Sequence, residues 1–591
     1  MIAWAYFSMP SQEELQQRQA EQARQDSIAA VQADTQARNQ QQLQSQNQPA
    51  ETDTAVSQDA QIGQSQDDST AVEMGIFSRA SQQDTSSTVV ETPLYKSEFT
   101  NLGAGPSTFT LKEHLTWDHK PIQMINDTSR SAYSLGFLTS ENYNVETDKL
   151  LFEQITPGNS LNLQENDSTQ LKYALNISDG KRIVYTYTLQ GDSYEIDLDV
   201  TFEGLERDII GSTVDFGWQS QLNLTEKDPE QETLLLSAYI HTGGEREQLL
   251  LSESGREEKN YNGSVRWVAS RTKFFTQVIK SDTPTEGALL IGEVTDAANQ
   301  AKADYHYETY LTNRIPADGT VSYKMYAGPL AYHALENFDE TAYGMVDVGY
   351  WGTRWFADPL VRWIIIPYFD FFGDFMSIGM AIILFGILVK MVLYPLTKKS
   401  YKSMAAMKDL QPQMKELQEK YKDEPKKQQE ATMKLYKKAK VNPLGGCLPN
   451  LLQLPILITL WRFFQNSILI RQEEFLWAND LSAPDYILSL PFDIPFLGDQ
   501  LAGFVLLMSA AMMVQSKVTG GIGGPGGGGG APGGINMKAL QYIFPVMLLF
   551  IFNNFAAGLS LYYLVYNVVS IAQQLLINRQ LEQEKELTEA T

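Results

Sequence analysis

Five apolar stretches, Phe375–Leu396, Pro449–Ile470, Leu501–Val514, Ala539–Phe555 and Leu559–Ile577, follow one another in the C-terminal part of the chain, and any fold must keep them out of water. About twenty apolar residues in a helix cross the ~30 Å hydrocarbon core of a bilayer. The stretches therefore predict five spanning helices over 375–397, 449–470, 499–517, 538–556 and 558–578, the third reaching beyond its apolar centre at both ends. The turn Ala556-Ala557-Gly558 parts the last two. Mean hydropathy over the whole chain is only -0.26, so the remainder must be polar enough to stand in water.

Charge supplies the orientation. Residues 398–440 hold thirteen lysines against six acids, a local +7 in a chain of net charge -25. A loop this short obeys the rule that positive loops stay cytoplasmic, which puts the acidic region one span earlier on the outside. Met404, Met407, Leu410, Met414 and Leu417, a break at Glu424-Pro425, then Met433, Leu435 and Tyr436 predict two amphipathic helices in a hairpin over 398–448. Lys398, Lys399, Lys402, Lys408 and Lys415 there either touch lipid headgroups or ribosomal RNA, or serve only as the topology signal. The second cytoplasmic loop, 518–537, is nearly all glycine and proline and reads as a loose tether. It lacks the strand-loop-helix setting and the Lys-Ser/Thr ending of a phosphate loop, so no nucleotide site is expected.

Upstream the character changes three times. Residues 1–9 are apolar but too few to span, and read as a truncated membrane anchor or a disordered apolar end. Residues 10–87 are rich in Gln, Ala, Ser and Asp and cannot bury enough surface to offset their conformational entropy, which predicts a disordered linker. Residues 88–343 alternate apolar and polar with turn dipeptides between runs, as in Arg182–Phe202, where two period-two runs flank Gln-Gly-Asp-Ser. Further strands are expected at 99–102, 107–112, 214–224, 265–280, 288–294, 305–312 and 321–328, and an extracytoplasmic antiparallel β-sandwich follows. The aromatic-rich 344–374, with Asp358, Arg362 and Asp370 interrupting it, suits a helix lying along the membrane surface. One cysteine, Cys447, and five scattered histidines argue against a metal centre or cofactor chemistry, and His114, His119, His241, His306 and His333 are expected to be solvated or locally bonded.

Lys390 is the sharpest feature, a cation set among Ile387, Leu388, Val389, Met391 and Val392. A lysine there costs several kcal/mol unless it meets water, an acid or a polar cavity. It either snorkels to the headgroups or lines a water-filled cavity open to the cytoplasm. Gln453, Gln465, Gln541, Asn553, Asn554, Asn567, Ser570 and Gln573 on the other spans favour a wet interior, though each alone is ordinary interhelical glue. Arg462 is expected to reach outward beside Gln465 and Asn466. On residues alone a transporter, or a receptor reading a ligand through its outer domain, stays open beside a protein-handling role.

Tyr394-Pro395-Leu396-Thr397, Met404-Ala405-Ala406-Met407, Leu410-Gln411-Pro412 and above all Val441-Asn442-Pro443-Leu444-Gly445-Gly446-Cys447-Leu448-Pro449 resemble the YidC/Oxa/Alb membrane protein insertases. Gln453-Leu454-Pro455-Ile456, Arg471-Gln472, Asp480-Leu481-Ser482 and Gly558–Tyr563 with Asn567 and Gln573-Gln574 extend the resemblance. Trp267-Val268-Ala269, Phe274-Phe275 and Tyr326-Ala327-Gly328-Pro329 resemble the large periplasmic domain of the Gram-negative type. The resemblance implies an inner-membrane insertase and chaperone, acting alone or with the Sec translocon on nascent integral membrane proteins, without covalent catalysis. It implies a hydrophilic groove open to cytoplasm and lipid, with Lys390 where the family usually carries Arg, and Tyr394, Gln453, Tyr562, Tyr563 and Asn567 around it. Ala556-Ala557 replaces the usual Pro-Ser, and the cytoplasmic tail 579–591 is short and acidic, so ribosome contact is expected to rest on the two cytoplasmic loops.

Overall fold

The computed structural model describes residues 76–77, 84–126, 130–300, 302–349, 352–421, 424–439, 448–495, 497–519 and 537–589. The expected anchor, nearly all of the linker, Val441–Cys447 and the glycine-rich 520–536 lie outside the described residues.

Alternation drives the β part. In Lys181–Gln190 and Glu195–Glu203, paired antiparallel, Ile183 faces Phe202, Tyr185 faces Val200, Tyr187 faces Leu198 and Leu189 faces Ile196, and all eight are buried. A period-two strand puts one such set on one face, where cross-strand pairs stabilise the ladder. These strands sit in a nine-stranded sheet, and Thr213–Gln221, Thr285–Thr295 and Asp304–Arg314 form the middle of a six-stranded one. Phe216 of the smaller sheet and Tyr323 of the larger have ring centroids 4.3 Å apart, so the two sheets share one core as a sandwich. A third, five-stranded sheet adds one parallel pair, Ser87–Glu91 with Ser160–Asn162, a departure from the purely antiparallel expectation. The single strand expected at 265–280 is instead two, Val265–Arg271 and Phe275–Ser281. Its turn contains no Gly, Pro or Asn, and is held by Thr272, whose N–H donates to Phe275 O while its hydroxyl accepts from Phe275 N–H.

Helices follow. Short α1 (Pro229–Thr233) lies within the β part, and α2 (Tyr332–Phe338) leaves it. The surface helix is α3 (Arg354–Leu360), one π turn (Val361–Ile365) and α4 (Ile366–Gly373). Ala357, Val361, Ile365 and Phe369 are buried, whereas Trp355 and Trp363 are 79% and 76% exposed, so the helix shows apolar surface outward as well as inward.

Helix α5 (Ile378–Asp409) is far longer than the first apolar stretch and carries that span without a break into the lysine-rich segment. Helices α6 (Gln411–Lys420) and α7 (Pro425–Lys438) close on each other through Met414 and Tyr436, with Leu410 and Leu435 beside them. Then come α8 (Leu448–Asn466), α9 (Gly503–Thr519), α10 (Met537–Phe552) and α11 (Ala557–Glu589). Among the described residues, Ile378–Ser403 and Ala557–Glu584 are long and apolar enough to cross a membrane, and 503–518 and 543–552 are shorter apolar helices. The expected third span begins late, because Gly498–Ala502 is a strand paired with Tyr486–Ile494.

Candidate functional site

Lys390 lies on the face of α5 that meets α11 and is 2% exposed. Its Nζ sits 3.5 Å from the ring centroid of Tyr566, and Gln573 donates from Nε2 to the Lys390 carbonyl at 3.2 Å. The cation therefore faces an aromatic ring inside the protein. The ring quadrupole attracts the ammonium by about 2 kcal/mol where both groups are dry.

The neighbours come from three helices. Tyr562, Tyr566, Ser570 and Gln573 recur at helical spacing on α11, so one stripe of that helix is polar along its length. Gln453 of α8 donates from Nε2 to the Tyr562 hydroxyl at 3.4 Å, and both are buried. Asn567 is buried and donates to the Tyr563 carbonyl at 2.6 Å. Among the described residues Gln453 Oε1, Gln573 Oε1 and the Tyr563 hydroxyl have no hydrogen-bond partner. Tyr394, one helical turn past Lys390, is half-buried. Gly386 allows the approach of the two helices, since a Cβ there would stand 3.2 Å from Val565.

The structure thus links Lys390 through the Tyr566 ring to Tyr562, Tyr563 and Gln453, whereas Asn567 bonds within its own helix. It leaves Lys398, Lys399 and Lys402 further along α5, where Lys402 pairs with Glu584 of α11 at 3.2 Å. The side chains of Lys408 and Lys415 lie outside the described residues. Tyr566 escapes a reading by residue type, since a tyrosine on an apolar helix passes for core packing; its spacing of four from Tyr562 and from Ser570 is the signal that could have found it.

Arg462, expected to reach outward beside Gln465 and Asn466, pairs with an acid, Asp347, at 3.0 Å. A second buried charged cluster joins the loop after α8 to the β part. Arg471 Nε donates to Glu226 Oε1 at 2.8 Å, Gln472 Nε2 donates to the carbonyls of Leu115 and Thr116, and the guanidinium lies over Phe274 and Phe275. Glu232 of α1 accepts from the N–H groups of Thr225 and Glu226, yet burial and then the Glu226 charge push its carboxyl up to about 7. His114 lies edge-on to Phe275, and burial, then Arg471, lower its imidazole to about 4. Of the other histidines, His306 and His333 meet Glu308 and Asp370 at the surface, whereas His241 is buried and stacked on Trp267.

Residues 370–585 match the family model described as 60Kd inner membrane protein, and residues 87–363 match that of the YidC periplasmic domain. The protein named membrane protein insertase YidC in Prosthecochloris aestuarii is 37% identical over 513 residues, 85% of each chain. Its namesake in Chlorobium luteolum is 34% identical over 587 residues, covering 98% of this chain and 93% of that one. A solved structure described as an active YidC insertase with the first transmembrane domain resolved aligns at 19% identity and a TM-score of 0.33, over 83% of this chain and 93% of that one.

Proposed function

Because this chain belongs to the YidC family of membrane protein insertases, we propose that it inserts nascent membrane proteins into the bilayer by way of the Lys390 site. It is an inner-membrane protein with a periplasmic β domain. In our reading α5, α8, α9, α10 and α11 all span. The lysine-rich α6–α7 pair then lies in the cytoplasm by the positive-inside rule, and the end of α11 lies there too. The Lys402–Glu584 pair supports this, since it sets the late turns of α5 and α11 side by side.

Lys390 stands twelve residues into α5, ~18 Å along its axis by helical rise. An incoming chain must carry a polar or acidic segment across while its apolar span leaves into lipid. A carboxylate entering from the cytoplasm competes with the Tyr566 ring for the ammonium, and gains a full charge pair where screening is weak. The free Tyr563 hydroxyl donates to that carboxylate, and Gln453 Oε1 and Gln573 Oε1 accept from N–H groups of the same segment, which lowers the cost of leaving water. Lysine offers one point contact where arginine would offer a fork. No covalent step or nucleotide enters. The same site acts as a chaperone when a client pauses in it, alone or beside the Sec translocon, and Lys398, Lys399, Lys402, Lys408 and Lys415 offer the ribosome a basic face.

The observation that carries this reading is a buried ammonium set over an aromatic ring, beside polar side chains from three helices. The test is insertion of a single-span substrate with an acidic outer segment into liposomes holding this protein alone. Losing a charge-assisted contact of ~1.5–3 kcal/mol should slow insertion about ten- to a hundredfold in Lys390→Ala. Lys390→Arg should insert normally, and a Lys390→Glu protein working at full rate would sink the mechanism.

A further inference from the structure

The loop between α8 and α9 carries apolar surface that insertion at Lys390 does not use. Its strand Tyr486–Ile494 pairs with Gly498–Ala502 and with no other strand among the described residues. Burial does not alternate along it: Ile487, Leu488 and Phe492 are 55%, 50% and 59% exposed, on both faces of the ribbon. A two-stranded hairpin is marginal in water even with one face covered. This one is nonetheless firmly rooted. Ala502 N–H donates to Asn553 Oδ1 at 3.0 Å, and Asn553 Nδ2 donates to the carbonyls of Leu497 and Gln500 at 2.9 and 2.8 Å. The Tyr486 hydroxyl donates to Asn554 Oδ1 at 3.0 Å, and Asp485 Oδ2 accepts from Trp477 Nε1 and from Phe504 N–H.

Those anchors fix its height. Asn553 and Asn554 form the turn between α10 and α11, and Gly503 begins α9 directly after the second strand. The hairpin is thus bolted to the ends of three helices on one side of the molecule, the outer side in the topology above, with Trp477 and Tyr486 at its root. That is the level of the lipid headgroups, where such aromatic residues collect. A protein strand is a poor occupant of the free edge. Pro491 removes a donor from it, and the pairing slips between Ser489 and Ile494. The nearby charges, Asp493 and Asp499, are acidic, so the attraction is apolar rather than electrostatic.

We propose that the paired strands Tyr486–Ile494 and Gly498–Ala502 form a membrane-surface anchor lying in the headgroup–acyl boundary of the outer leaflet, with Ile487, Leu488 and Phe492 among the acyl chains. The boundary rather than the hydrocarbon is required, because an open sheet edge is not tolerated in the bilayer core. The inference rests on the reading that α9, α10 and α11 span, and its test separates the two.

Full-length protein with Cys447→Ser receives a single cysteine at Leu488, at Phe492 or, as reference, at the exposed Val568 on α11, each carrying a nitroxide, in vesicles of phosphatidylcholine alone. Labels at 488 and 492 should collide several-fold more often with oxygen than with a water-soluble nickel chelate, as the 568 label does. Water-like collisions at 488 and 492 beside a lipid-like 568 would overturn the anchor and leave the spanning helices standing. A water-like 568 would overturn both. Labels shielded only in native membranes, and wet in pure lipid, would assign the surface to a protein partner and overturn the proposal.

Discussion

At the Lys390 ammonium the protein holds a charge in reserve. The Tyr566 ring satisfies it by its face alone, so the hydroxyl is dispensable: Tyr566→Phe should insert substrates as the parent does, whereas Tyr566→Leu should not. Loss of ~2 kcal/mol of cation–π attraction shifts the covered-to-uncovered equilibrium about thirtyfold. In Tyr566→Leu, acylation of Lys390 by a membrane-permeant reagent should speed up by about that factor, read by peptide mass mapping. An unchanged rate would mean the ring does not cover the amine. His114 provides a residue-scale test in water. Its folded value of about 4 lies below the ordinary 6.5, so the unfolded chain binds the extra proton between them and stability falls as pH drops through that window. The groups facing it are Arg471, which adds to the fall, and the Glu226–Glu232 pair behind it; the raised value of Glu232 acts in the opposite sense between its ordinary 4.5 and about 7. His114→Gln should therefore lose less thermal stability than the parent between pH 6.5 and 4.5, read as the shift in melting temperature of the β domain.

Helices α5 and α11 make the site by closeness, and Gly386 sets that closeness. Gly386→Leu drives a side chain into Val565 and Tyr562 and should part the helices, raising Lys390 acylation and lowering insertion together, while Gly386→Ala, meeting Val565 at 3.2 Å, should do so only weakly. A disulfide-trapping scan between α5 and α11 would read the displacement. Much at this scale was legible beforehand. Period-two runs become the sandwich strands, the lysine-rich segment becomes a helical pair, and Gln453 meets Tyr562 from a separate stretch, while Lys390 reaches them through Tyr566. The failures have a common cause. Leu501 and Ala502 were assigned to an apolar span although they belong to a hairpin, since apolar residues exposed on both faces of a strand give no periodicity. Tyr566 hid for a related reason: type and hydropathy do not reveal which ring a cation will choose, and that choice follows from the packing of two distant helices. The turn at Thr272 hid because its stop signal is a side-chain hydrogen bond rather than a glycine or proline.

Across the whole molecule, the Arg471–Glu226 pair ties the β domain to the loop above α8. Arg471 and Glu226 are nearly dry, so Glu226→Ala should strand a buried guanidinium and cost about 3–5 kcal/mol, whereas Glu226→Ala with Arg471→Leu should recover most of it. Thermal unfolding of the four proteins of that cycle measures the coupling, and additive losses would show the joint to be incidental. The sheathed lysine also has a consequence for the membrane as an electrical barrier. A bacterial inner membrane stores its energy as a gradient of protons and voltage, and a standing file of water beside a titratable amine would drain it. If the protein inserts clients as proposed, Lys390 lying buried under Tyr566 between them would keep its charge off a conducting path, and the protein would wait in an energised membrane without discharging it.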